Sequence, residues 1–151
     1  MIDKSKRCTR ALVPLEQLPA LQGRTIEFTS IAEMFLSRVR ERPEDPLVYY
    51  DDDVIRYAQA NDRANRVANY LKQKGVKKGD VVCVMILNAP EIYYTMCGAQ
   101  KLGCITGAVN YMLKRPEIAY VLEDSRPDVA FVGSDYMVEF ARGVQLSSHK
   151  P

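Results

Sequence analysis

The chain has 151 residues, 47% hydrophobic and 26% charged, and its 21 Lys and Arg against 19 Asp and Glu leave a net charge of +2. That length supports one compact domain with a real core and argues against two, and the composition excludes a disordered or fibrous chain. So small a charge gives no ground for nucleic-acid binding driven by counterion release.

The first residues, "MIDKSKRCTRALVPLEQLPALQG", are basic, but Pro14, Glu16 and Pro19 break the apolar part before a signal-peptide core can form. Residues 1–27 therefore read as an irregular arm. "TSIAEMFLSRVRER" follows with Ser30 three residues before Glu33, the spacing of a capping box. It predicts a helix that buries Ile31, Phe35 and Val39 and stops at Pro43 and Pro46. "LVYYDDDVIRY" reads as a β-hairpin turning at Asp51 to Asp53. Three consecutive aspartates at a loop tip point in different directions, and no ligand-spaced glycine or glutamate follows, so a solvated turn is expected rather than a metal site.

"AQANDRANRVANYLKQKG" sets Ala60, Ala64, Val67, Ala68 and Leu71 on one helical stripe, closed by Gly75 as a left-handed cap. Arg63, Arg66, Lys72 and Lys74 fall on the opposite, solvated face. Next, "VVCVMIL" is a continuous apolar run, the mark of a strand buried on both faces. "APEIYYTMCGAQKLG" is a helix with Ile92, Met96 and Ala99 inward; Asn88 and Glu91 have capping-box spacing and Pro90 stands in the first turn. "CITGAVN" gives a strand, "RPEIAYVLEDS" a helix and "DVAFVGS" a strand, with a last helical stretch from about Asp135 and a flexible tail over 143–151. Strand, helix, strand, helix, strand with short loops implies crossovers and a parallel sheet. The fold class is α/β: a parallel βαβαβ sheet flanked by helices, preceded by a short hairpin, with Val82, Val84, Ile86, Ile105 and Val109 in its core. The apolar run Val81 to Leu87 is far short of the roughly twenty residues that span a bilayer, so no transmembrane segment is expected.

Cys8, Cys83, Cys97 and Cys104 show no CxxC spacing, and His149 is the single histidine. Neither a zinc site nor a Ser/His/Asp arrangement can be assembled from them. The cysteines read as small core residues of a protein in the reducing cytoplasm.

A parallel sheet binds its ligand at the carboxyl ends of its strands, here the loops after Leu87, Val109 and Val132. These loops are poor in chemistry. The chain has neither GxGxxG nor GxxxxGK[ST], and Gly98, Gly103 and Gly107 read as points of close helix-to-strand packing. Asn110, at a strand end, is the single polar position worth testing for a site contact, against a plain turn role.

In order, "RANRVANYL", "GVKKGD", "LNAPE", "GAQKLG", Asn110 and "IAYVLEDS" resemble the amino-terminal region of the adenylate-forming acyl-CoA synthetases, the AMP-dependent synthetase and ligase superfamily. The resemblance runs from about Phe28 to Phe140, which sets an amino-terminal ligase subdomain at 28–142, and is nearest to fatty-acid and aryl-acid CoA ligases. It implies a two-step reaction in which a carboxylate attacks the α-phosphate of ATP and the thiol of coenzyme A then displaces AMP. Two helix starts depart from the family: Arg56 stands where a threonine is usual, and "LKRPE" at Leu113 to Glu117 lacks its threonine cap. The sequence also holds no Ser/Thr/Gly-rich phosphate loop and no catalytic lysine domain. Catalytic, cofactor-binding and metal residues are therefore none in this chain, while ATP, Mg and CoA are implied for the full-length parent. The resemblance makes the chain a fragment that is inactive alone and has the remainder of the ligase as its partner. Self-association is expected through apolar residues left over at Tyr93, Tyr94, Cys97, Tyr111, Met112 and Leu113. The alternatives are a stand-alone, non-catalytic binding or scaffolding module on the same frame, and an unrelated mononucleotide-binding domain.

Overall fold

The computed structural model describes residues 27–151. The arm expected over 1–27, with Cys8, lies outside the described residues but for Glu27. Helix α1 (Ile31–Glu41) begins at Ser30, whose hydroxyl accepts from Glu33 N at 3.1 Å. The Glu33 carboxylate reaches past Ser30 to Thr29 N and Oγ1, at 2.9 and 2.7 Å, which is half of the expected capping box with its return bond one residue early. Phe35 is buried and Val39 half-buried, whereas Ile31 is 61% exposed.

Strands β1 (Pro46–Tyr50) and β2 (Asp53–Arg56) pair antiparallel, and Asp51 takes the left-handed conformation (φ 50) that the tight turn needs. Helix α2 (Tyr57–Gln73) follows directly. Arg56, lacking an acceptor, cannot cap it; instead the Gln59 side chain accepts from Arg56 N at 2.9 Å. At its far end Gly75 (φ 80) donates to Lys72 O and Val76 N to Leu71 O, the paired bonds of a Schellman cap. Ala60, Ala64, Ala68 and Leu71 form the buried stripe.

Strand β3 (Val81–Met85) is buried at every position and sits between β4 (Ile105–Ala108) and β5 (Val129–Val132), both parallel to it, in the order β4-β3-β5. Its alternating side chains feed two cores. Val82 packs with Leu71 of α2, Ala99 of α3 (Pro90–Lys101) and Cys104. Cys83 and Met85 pack with Ile118 and Leu122 of α4 (Arg115–Ser125) and with Phe140 of α5 (Met137–Leu146). Helices therefore cover both faces, as a parallel sheet requires. A third cluster, Phe35, Ala60 and Tyr94, ties α1 to α2 and α3.

Several expectations shift. Val82, Val84 and Val109 are buried, but Ile86 is half-buried and Ile105 is 41% exposed, because β4 is an edge strand with an open face. Helix α3 buries Tyr94, Thr95, Gly98 and Ala99, leaving Ile92 and Met96 half-buried. Its inner face is turned toward α2 because Gly98 permits an approach no other residue would: a Cβ there would lie 2.6 Å from Ala64 O. The packing Gly98 serves is thus helix to helix. Gly103 (φ 75) is a left-handed turn after α3, and a Cβ on Gly107 would meet nothing within 4 Å. Ala89, not Asn88, is the N-cap of α3 (φ −146, ψ 157), since Pro90 in the first helical position forces the preceding residue into the extended region. Nor does a tail begin at 143: α5 runs to Leu146, Ser147 is 3% exposed, and the ring of His149 donates from Nε2 to Pro127 O at 2.7 Å. Gly143 allows this by letting α5 lie against Ile118.

Candidate functional site

The carboxyl ends of the strands form one face. β3 leaves through Ile86 to Ala89 into α3, and Val109 N donates to Val84 O at 2.8 Å, extending the β3·β4 ladder by one residue. Beyond it, Asn110 Oδ1 accepts from Met112 N at 2.9 Å and Asn110 O from Leu113 N at 3.2 Å. Its side chain is thus engaged in a local turn that delivers the chain to α4. There Lys114 N donates to the Glu117 carboxylate at 2.9 Å, so the second unusual helix start is rescued as the first is. On the other side Gly133 N donates to Met85 O, and the rings of Tyr111 and Tyr136, 5.3 Å apart, hold the loops after β4 and β5 together.

A cleft of about 320 Å³ opens on this face. Val84, Ile86, Ile92, Val109 and Tyr111 make its apolar walls, and Asn88 and Asn110 supply its amides. Such a site holds an apolar body and orients it through one or two hydrogen bonds. It offers no cation to a phosphate and no carboxylate to a magnesium ion. Among the described residues no group of three His, Cys, Asp or Glu could hold a metal ion.

Among the described residues Cys83 and Cys104 are buried and Cys97 is half-buried. Cys83 is pushed up to about 11 by burial, and burial also raises Cys97 and Cys104; thiolate chemistry near neutral pH is therefore suppressed. Of the six apolar residues expected to be left uncovered, Tyr93 (51%) and Met112 (66%) are exposed. Tyr94 is buried in the α1·α2·α3 cluster, and Cys97, Tyr111 and Leu113 are half-buried. The solvated face of α2 is not wholly solvated: the Arg63 guanidinium lies 5.9 Å from the centre of the Tyr94 ring. One polar cluster escaped the sequence reading. Lys101 Nζ donates to Asn61 Oδ1 and, at 2.6 Å, to Asn65 Oδ1, and it stands over the Phe35 ring. The signal was the pair of asparagines four residues apart on α2.

A two-sided parallel α/β frame with an apolar cleft at its strand ends, and no phosphate loop of its own, defines the class. Comparison with known proteins makes it particular. The profile of the AMP-binding enzyme family matches residues 35–150, and the chain belongs to that family. It is 30% identical over 112 residues to long-chain fatty acid transport protein 6 of Mus musculus, covering 74% of this chain and 18% of that protein. It is 38% identical over 78 residues to a long-chain-fatty-acid–CoA ligase of Mycobacterium tuberculosis, covering 52% of this chain and 16% of the relative. Among solved structures, a long-chain-fatty-acid CoA ligase from Rhodopseudomonas palustris superposes with a TM-score of 0.73 at 27% identity, over 82% of this chain and 32% of that one. The anthranilate CoA ligase solved with anthranoyl-AMP superposes at 0.70 and 27%, over 76% and 22%. The chain thus spans less than a fifth of the length of these curated relatives, and it corresponds to the amino-terminal part of the acyl-CoA ligase fold. No helix among the described residues is long and apolar enough to cross a membrane.

Proposed function

We propose that this chain is the amino-terminal frame of an ATP-dependent acyl-CoA ligase, which joins a carboxylic acid to coenzyme A with release of AMP and pyrophosphate. The observation that carries the reading is the family match over residues 35–150, reached on the same fold as ligases of fatty and aryl acids. ATP, magnesium and CoA belong to the whole ligase. The strand-end cleft by itself does not fit ATP or magnesium, since phosphoryl chemistry needs positioned cations and donors that it lacks. What the chain contributes is architectural: β3 fixes the loops, and the cleft presents apolar wall and amide groups to whatever the remaining subdomains bring. The remainder of the ligase is its partner. Among the described residues Cys83, Cys97 and Cys104 are unpaired, which supports a cytoplasmic setting.

The test is carboxylate-dependent exchange of labelled pyrophosphate into ATP. The isolated chain is expected at background, and a chimera in which it replaces the matching segment of the M. tuberculosis ligase is expected to exchange. Exchange by the isolated chain, or a chimera that melts cooperatively yet stays inactive with every fatty acid offered, would overturn the proposal.

A further inference from the structure

Strand β4 is an open edge of the sheet, and its sequence does nothing to close it. Ile105 N donates to Asp80 O at 2.9 Å and Val109 N to Val84 O at 2.8 Å, so the odd positions of β4 turn their backbone groups toward β3. Thr106 and Ala108 therefore turn theirs away from the sheet, and no hydrogen bond reaches them among the described residues. Such an edge is ordinarily guarded by a charge, a proline or a bulge. Here Gly103 to Leu113 hold neither a charged residue nor a proline, and β4 pairs with β3 without a register shift. The side chains leave the edge open too: Ile105, Gly107 and Ala108 are exposed, and a Cβ on Gly107 would meet nothing within 4 Å. The opposite edge, β5, is half-buried at every position, with the Tyr70 ring edge-on to Phe131 at 6.2 Å. Charge and spacing both fit β4 to its own kind. An uncharged strand meets a copy of itself without like charges face to face, whereas a charged partner would find no counter-charge on it.

We infer that two copies of this chain pair their β4 strands antiparallel, about a two-fold axis at Gly107, into one continuous sheet. In that register Thr106 exchanges both backbone hydrogen bonds with Ala108 of the second copy, and Ala108 does the same with Thr106. Gly107 faces Gly107 of the second copy in the close, non-hydrogen-bonded position, where α-carbons stand about 4.5 Å apart; with no side chain on either, the seam is clear. Ile105 lies across from Val109 of the second copy on the same face, a β-branched cross-strand pair that covers it. A seam this short buries less than the roughly 1,200 Å² of a stable interface, so association is weak and concentration-dependent. The inference uses the β4 edge alone and stands apart from the ligase reading.

Sedimentation equilibrium of the 151-residue chain across a concentration series is read together with amide hydrogen exchange at its two extremes. The weight-average mass is expected to rise toward that of two chains and stop there, because a two-fold seam closes on itself. Exchange at Thr106 and Ala108 is expected to slow several-fold at high concentration, while Gly107, bonded to β3, is slow throughout. Gly107→Lys sets like charges face to face at a position with room for the side chain, and Ala108→Pro removes an outward donor that β3 does not use. Both variants are expected to stay monomeric. A parent chain that is monomeric at every concentration would sink the inference, as would growth past two chains, exchange at Thr106 and Ala108 that ignores concentration, or a cooperatively melting variant that associates like the parent. A monomeric parent whose two amides become protected in the chimera with the M. tuberculosis ligase would assign the edge to the rest of the ligase instead.

Discussion

Adding one methyl group at Gly98 tests how α3 is held. The new Cβ would meet Ala64 O at 2.6 Å, Val67 Cβ at 2.7 Å and Val67 Cγ1 at 2.9 Å. Ordinary van der Waals separation begins at 3.4 Å, so the helices must part by about 0.8 Å or the valine must leave its rotamer, and the carbonyl, fixed in the α2 hydrogen-bond ladder, cannot yield. Overpacking of this kind costs about 1–3 kcal/mol, whereas Gly to Ala in a helix interior gains about 1 kcal/mol. Three contacts below 3.0 Å, one of them to a backbone oxygen, put the cost in the upper part of that range, so the balance for Gly98→Ala is destabilisation of about 1–2 kcal/mol, felt in the packing around α2, whose Ala64 and Leu71 are fully buried. Gly107→Ala is the matched control. Its Cβ meets nothing and its φ is unexceptional, so removing glycine's excess unfolded-state entropy makes it neutral or stabilising by about 0.5 kcal/mol. Urea denaturation followed by circular dichroism gives both values. If Gly98→Ala is as stable as the parent, the close α2·α3 approach is not a feature of the folded chain and the rotated face of α3 is misassigned.

Val84→Asp places an unpaired charge in the central strand, where Val84 is 3% exposed; a loss of about 3 kcal/mol or more is expected, read as absence of a cooperative melt. Asn110→Ala removes the bond to Met112 N and should cost about 1 kcal/mol by thermal melting. In the full ligase the same change should leave exchange within about threefold, and a far larger loss would give Asn110 a direct role. Cys83 makes stability fall in alkali. Its folded pKa of about 11 exceeds the 9.0 of an ordinary thiol, so the unfolded chain loses the proton first. The stabilisation is intact below pH 9 and disappears as pH rises from about 9 to 11, on the order of 2 kcal/mol in all. Cys83→Ala should flatten that slope in a pH series of urea midpoints.

What the sequence determined by itself was everything that periodicity and turn chemistry encode locally. The unbroken run at Val81 to Met85 marked a strand covered on both sides, the i, i+4 stripe from Ala60 to Leu71 marked the buried face of α2, and Gly75 marked its end. The ordered pieces from "RANRVANYL" to "IAYVLEDS" carried the family, which spacing alone could not. Tertiary structure decided what depends on a partner distant in the chain. Whether Ile105 is covered depends on β4 being an edge, and strand order is not written in β4. Which side of α3 is inside depends on Gly98 meeting Ala64 34 residues away. The bonds from Lys101 to Asn61 and Asn65 exist only where α2 and α3 lie side by side, and α5 continues through 143 because Gly143 settles on Ile118. Local patterns select elements; the choice of neighbours, made by packing that no short window contains, selects which residues of those elements face protein and which face water.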